Sequence, residues 1–195
     1  MGKKLSEMTL EELWALFPIF LTEHKREWAG WFDEEKTRLL PFLPADEIVS
    51  VSHIGSTAVS TIWAKPIIDI LIEVRPGCRL DDIRPLLAEN GYILMSVSEN
   101  RMSFNRGYTE NGFAERVYHL HLRYAGDNDE LYFRDYLIAH PDAAKEYERL
   151  KLSLWKEFEH DRDGYTGAKS ALVRKYTNLA KEEFPGRYAP ADAVQ

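Results

Sequence analysis

The sequence predicts an α+β protein, a mixed β-sheet flanked by helices over about residues 18–125 and followed by C-terminal helices over about 127–184. Three observations predict it. Residues 47–54 alternate apolar and polar side chains, the pattern of a strand with one buried face. Residues 66–74 are almost continuously branched aliphatic, as in a strand covered on both faces. Beyond Asp127 the period changes, and residues 128–139, 142–160 and 166–184 repeat apolar positions at helical spacing with few Gly or Pro. No internal repeat or low-complexity stretch separates the two parts, so residues 1–195 read as one domain with a shared core.

Taken in order, Thr9 and Glu12 have the spacing of a capping box, with Leu10, Leu13, Leu16 and Phe17 following on one side of a short helix that Pro18 ends. Residues 18–23 read as a short strand. From Lys25 to Leu43, Trp28, Trp31, Phe32, Leu39 and Leu40 recur at helical spacing, and Pro41 and Pro44 close the helix. The strand at 47–54 is interrupted by Gly55-Ser56-Thr57, and the strand at 66–74 carries Asp69 in its middle. A helix over 80–89 ends at Asn90-Gly91, where Gly91 suits a left-handed cap. Strands at 92–97, 101–107 and 114–124, with a Thr-Glu-Asn-Gly turn at 109–112, predict a meander.

Composition narrows the function. Hydrophobic residues make up 45% and charged residues 29% of 195, which excludes an intrinsically disordered chain. The 32 acidic side chains exceed the 25 basic ones by enough to give a net charge of -7. Such a surface repels a phosphate polymer, so no nucleic acid partner is expected, while a small basic pocket for a nucleotide stays compatible. Cys78 is the single cysteine, in a Pro-Gly-Cys turn, and cannot close an internal disulfide, which fits a reducing cytoplasm. Met1 to Leu13 is charged and lacks the apolar stretch of a signal peptide, and no apolar run reaches the length of a membrane span. The expectation is a cytoplasmic protein without a membrane partner, of open oligomeric state.

The stretch from His53 to Asp69 carries the chemistry. A Gly-Ser turn after a strand lets backbone approach a phosphate closely, and the hydroxyls of Ser56 and Thr57 with nearby N–H groups can donate to its oxygens. Lys65 adds a positive charge. Asp69 stands in a run that should be buried, where a carboxylate needs a partner or a metal. His119 and His121 alternate onto one face of the 114–124 strand, and aimed at Asp69 they would make a two-His, one-carboxylate metal site with His53 as a further ligand. The other reading of the pair is two sheet-face histidines bonded to acids. Arg101 and Arg106 flank a strand and serve either as phosphate contacts or as solvated edge charges. Lys169 either closes over the site or lies on a helix surface, and Tyr136, Tyr147, Trp155 and Phe158 read as helix-packing stripes.

Gly-Ser followed by twelve residues and an Asp on a strand resembles the motif of the nucleotidyltransferase superfamily, which includes DNA polymerase β and aminoglycoside nucleotidyltransferases. More closely, His53-Ile-Gly-Ser-Thr-Ala-Val59 with Ala64-Lys-Pro-Ile-Ile-Asp-Ile70 resembles the GrpB family (UPF0157). His119-Leu-His121, Phe133-Arg-Asp-Tyr-Leu137, His140-Pro141, Tyr165 and Lys169 match too, so the resemblance runs from about residue 18 to 180. It implies a nucleotidyltransferase fold and says little about substrate. Active members of the superfamily carry a second carboxylate two residues on, about 7 Å along the same strand face. Here that position is Leu71, and Glu73 lies about 13 Å away, too far to share an ion. The expected function is a metal-dependent transfer of a nucleotidyl group from an NTP to a small-molecule acceptor, with Asp69, His119 and His121 as catalytic residues and Mg, Mn or Zn as the ion. The nucleotide would sit on Gly55, Ser56, Thr57, Lys65 and Arg101. The alternative is a nucleotide- or metal-binding module without catalysis, Leu71 marking the lost acid.

Overall fold

The computed structural model describes residues 3–190. In chain order, α1 is Leu10–Leu16, α2 Glu27–Leu39, β1 Ile48–Ile54, β2 Ile67–Val74, α3 Leu80–Glu89, β3 Ile93–Ser98, β4 Arg101–Thr109 and β5 Gly112–Tyr124. Three helices follow, α4 Asp129–Ala139, α5 Pro141–Glu157 and α6 Arg162–Glu183. The five strands form one sheet in the order β1-β2-β5-β4-β3. β2 and β5 run parallel, and the other pairs are antiparallel, so the sheet is mixed as expected.

Strand alternation divides β2 between two layers. Ile68, Ile70 and Ile72 turn to the face covered by α2 and α3, where Trp28, Phe32, Leu39, Ile83 and Leu87 are buried. Each such side chain withdrawn from water contributes roughly 1.5–3 kcal/mol. Asp69, Leu71 and Glu73 turn to the other face. There Leu71 packs against Ile54 and against Leu131 of α4, while α4, α5 and α6 gather on Val59 and Ile62 of the β1–β2 connector. Coverage of both faces explains the near-continuous aliphatic run.

Two buried acids hold this frame. Glu35 of α2 is 3% exposed and accepts from Arg38 (2.6 Å), Arg106 (2.7 Å) and the Tyr92 hydroxyl (2.8 Å), pinning the helix to β4. Glu73 accepts from Ser50 Oγ (2.7 Å), the Gly126 N–H (3.0 Å) and Asn128 Nδ2 (2.8 Å).

Two expectations change. Residues 18–23 are not a strand: they make a single bridge, Thr22 with Ala64, because they run beside the short connector before β2, and the Ile19 N–H turns away to Glu159 O at 2.8 Å. The last helix starts at Arg162 rather than 166, because the Asp161 carboxylate caps it by accepting from the Gly164 N–H at 2.8 Å. Among the described residues no helix is long and apolar enough to cross a membrane.

Candidate functional site

The site begins where β1 stops. Ile54 pairs with Asp69, so Gly55 lies directly against the Asp69 carboxylate. Gly55 has φ +72°, and a Cβ there would stand 2.2 Å from Asp69 Oδ2, so both backbone angle and space demand glycine. A single 3-10 turn, Ser56–Ala58, follows. Thr57 Oγ1 is buried, donates to Ile67 O (3.2 Å) and accepts from His53 Nε2 (2.9 Å), tying the turn to the start of β2. Ser56 Oγ accepts from Lys151 Nζ at 3.1 Å.

In the β2–β5 register Asp69 faces His119, and Leu71 faces His121. Asp69 Oδ1 is 3.2 Å from His119 Nδ1 and 3.8 Å from His121 Nε2. Burial works to raise the Asp69 carboxyl, but hydrogen bonding from His119 and His121 outweighs it and holds it far below the usual carboxylate range. Burial lowers His119 more than Asp69 raises it, with Lys65 and Arg162 adding to the lowering, so this imidazole is neutral. Its proton therefore sits on Nδ1, facing Asp69, and its Nε2 accepts from the Tyr108 hydroxyl at 2.8 Å. Burial pushes the Tyr108 phenol up, and Arg162 donates to the same oxygen at 2.8 Å. Arg162, Tyr108, His119 and Asp69 thus form a continuous hydrogen-bonded line.

Beside this line is a cleft of ≈ 200 Å³ lined by Gly55, Ser56, Thr57, Asp69 and His119 and by three lysines from separate elements: Lys65 before β2, Lys151 of α5 and Lys169 of α6. Lys151 is 2% exposed and, among the described residues, donates to Ser56 Oγ and to Trp63 O alone. None of the three has a carboxylate within ion-pair distance among the described residues. Burial lowers Lys65 to about 8, and burial with mutual repulsion lowers Lys151 and Lys169 to about 7. Tyr165 stands between two of them, with Lys65 Nζ 5.5 Å and Lys169 Nζ 4.0 Å from its ring centre, and its buried hydroxyl has no partner among the described residues. Three ammonium groups facing one carboxylate suit a polyanion that brings several acceptor oxygens.

The structure therefore brings Gly55, Ser56, Thr57, Lys65, Asp69 and His119 into one cleft, with His121 beside Asp69. Two expected residues lie elsewhere. His53 pairs with Ile70, not Asp69, and alternation sends it to the opposite face, where its ring stacks on Phe32 at 4.9 Å; burial lowers it to about 4. Arg101 sits level with Glu73 at the far end of the sheet and makes two 2.6 Å bonds to Asp127, so it is an edge ion pair. Among the described residues no group of three or more His, Cys, Asp or Glu side chains is arranged to hold a metal ion. Both ring nitrogens of His119 are already engaged, which leaves Asp69 and His121 as the donors.

Lys151, Tyr108 and Arg162 went unread in the sequence. The signal for the helical ones was spacing: Tyr147 and Lys151 are i and i+4 on α5, and Arg162, Tyr165 and Lys169 are i, i+3 and i+7 on α6. Leu71, two residues beyond Asp69, is closed off by packing. It is fully buried under Ile54 and Leu131, so α4 covers this part of the β2 face.

The family model described as GrpB protein matches residues 18–179. The chain belongs to the GrpB family. It is 36% identical over 191 residues to UPF0157 protein YqkA of Bacillus subtilis (strain 168), an alignment covering 94% of this chain and 54% of that protein, so the chain spans about half the length of that relative. It is 34% identical over 168 residues to the glutamate-rich protein GrpB of Alkalihalophilus pseudofirmus, covering 82% and 94% of the two chains. The crystal structure of conserved protein GrpB from Enterococcus faecalis superposes with a TM-score of 0.73 at 29% identity, over 85% of this chain and 99% of that one. Every residue lining the lysine cleft falls within the GrpB match, while α1 precedes it.

Proposed function

We propose that this GrpB family member binds a nucleoside triphosphate in the lysine cleft and transfers its nucleotidyl group to a small-molecule acceptor. The observation that carries the reading is the convergence of Lys65, Lys151 and Lys169 on the Gly55-Ser56-Thr57 turn, opposite Asp69. Where the two-metal clamp of the superfamily needs two acids, this cleft has one acid and three cations. In this reading lysines take over much of the charge neutralisation of the triphosphate. The acceptor hydroxyl attacks the α-phosphate, the new O–P bond forms as the bond to pyrophosphate breaks, and the hydroxyl proton passes to His119 Nε2. Asp69 holds His119 in the tautomer whose Nε2 accepts from the Tyr108 hydroxyl, so the proton arrives through Tyr108. A single divalent ion would be held by Asp69 and His121 and would add charge neutralisation to the phosphates; with an imidazole as one of two donors, Mn suits better than Mg. A net charge of -7, with Lys65, Lys151 and Lys169 together in one cleft, favours a small acceptor over a nucleic acid polymer.

The test is thermal unfolding with ATP, GTP, CTP and UTP, each with and without Mg, Mn or Zn. Nucleotide at a hundred times its dissociation constant adds about 2.7 kcal/mol, a rise of a few degrees. Lys151→Met and Asp69→Asn are expected to keep the fold and lose that rise. No rise with any nucleotide and metal would sink the reading.

Two observations favour a second reading, a nucleotide-binding module without catalysis: α4 closes the second acid position at Leu71, and both nitrogens of His119 are engaged. Nucleotide binding with no pyrophosphate release from any acceptor mixture would decide for it.

A further inference from the structure

On the far side of His119 from the lysine cleft lies a groove of ≈ 740 Å³ between α1 and the β3–β4 hairpin. Its walls are mostly apolar, among them Leu10, Leu13, Phe17, Ile93 and Met95, and its inner end is made by Tyr108 and Arg162. The register places it on the catalytic face. Asp69 pairs with His119, His119 with Asn105 and Asn105 with Ile93, so one row runs across the sheet from the carboxylate into the groove. Strands spaced about 4.8 Å apart put Asn105 about 10 Å from Asp69. Tyr108 is at once a groove wall and, through its hydroxyl, the donor to His119 Nε2.

We infer that this groove is the acceptor site, and that the acceptor is a small molecule with an apolar body and a terminal hydroxyl. The inference rests on the nucleotidyl-transfer reading above. The apolar body lies along Leu10, Leu13 and Met95, and the hydroxyl reaches Tyr108. Its proton moves to the Tyr108 oxygen as the Tyr108 proton moves to His119 Nε2, the acceptor oxygen bonds the α-phosphorus, and pyrophosphate leaves with the electrons of the broken P–O bond. Continuity with the Asp69–His119 line is what selects a reacting ligand over a second copy of the chain as the occupant.

The experiment uses linear primary alcohols from propanol to octanol with the full chain. Binding is read by displacement of the fluorescent probe anilinonaphthalene sulfonate, and reaction by pyrophosphate release from ATP. Alcohol affinity is expected to rise about fourfold per methylene until the groove is full, with release rising in parallel. Met95→Asp and Leu10→Asp alter positions 55% and 56% exposed, which the fold tolerates. Each should weaken octanol binding at least about tenfold, by setting a carboxylate against the alkyl chain, and leave the ATP-induced thermal shift unchanged. Val49→Asp, at a position 52% exposed on β1 and outside the groove, should change neither. Tyr108→Phe should bind ATP and octanol and release pyrophosphate more slowly; an unchanged rate overturns the proton route. Wild-type octanol binding in both groove variants, or octanol no faster than propanol in release, overturns the acceptor site while ATP binding stands. A dimer in light scattering that Met95→Asp dissolves assigns the groove to self-association instead. Absence of ATP binding to the wild type overturns the nucleotide reading and the acceptor role together.

Discussion

The Glu35 cluster beneath α2 and the lysine cleft between β2 and the C-terminal helices use the same kinds of groups in opposite ways. At Glu35 one carboxylate meets two guanidinium groups and a phenol, and both of its oxygens are bonded. Burial pushes that carboxyl up, but the bonds from Arg38 and Tyr92 and the charge of Arg106 bring it below its ordinary value. In the cleft three ammonium groups share one carboxylate that is itself bonded to histidine, and a tyrosine hydroxyl is left without a partner among the described residues. The first cluster is complete in itself and stabilises the fold. The second leaves its lysines without an ion-pair partner among the described residues, and their mutual repulsion is a cost to the fold.

This contrast breaks most visibly at Glu35. Glu35→Ala leaves Arg38 and Arg106 facing a buried gap and is expected to cost about 3 kcal/mol, discounted for the partial exposure of both arginines. Urea unfolding reads that loss, and the nucleotide-induced shift should keep its size. Lys151→Met has the opposite profile. ATP affinity should fall about tenfold to a hundredfold in calorimetric titration, for one lost charge-assisted contact, while stability without ligand holds or rises.

Proton linkage sharpens the comparison further. Lys65, Lys151 and Lys169 titrate near 8, 7 and 7 in the fold and near 10.5 when unfolded. Above about pH 7 the unfolded chain therefore binds more protons, and these groups make stability rise with pH toward about 10. Saturating ATP should flatten that rise, and ATP affinity should fall over the same window as the ammonium charges are lost. Unfolding curves at several pH values, with and without nucleotide, check both signs. The smallest effect belongs to Arg101→Ala, which removes an exposed pair with Asp127: under about 1 kcal/mol of stability and no change in nucleotide binding.

How much of this was legible depended on the range of the controlling interactions. Period-two alternation and the aliphatic run gave the strands, because side-chain placement there is local. The same alternation put His119 and His121 on one face, where they stand beside Asp69. His53 was misplaced for want of register: only the Ile54–Asp69 pairing decides which side chain of β1 shares the site. Arg101 was misplaced because its partner is made by a turn after β5. Lys151 was invisible because what buries it is the packing of α5 over Ser56 and Trp63, residues far away in sequence.

The single parallel pairing, β2 beside β5, also sets a timetable for synthesis. β2 emerges from the ribosome about fifty residues before the end of the strand that must lie next to it. At about 5–20 residues per second the wait lasts several seconds. Throughout it the β1–β2 pair exposes the β2 edge that β5 later takes and the aliphatic side chains of β2, the kind of surface that chaperones hold and that aggregates when crowded. Conditions that slow elongation between Val74 and Tyr124 should therefore depress the yield of folded protein more than the same delay placed after Tyr124.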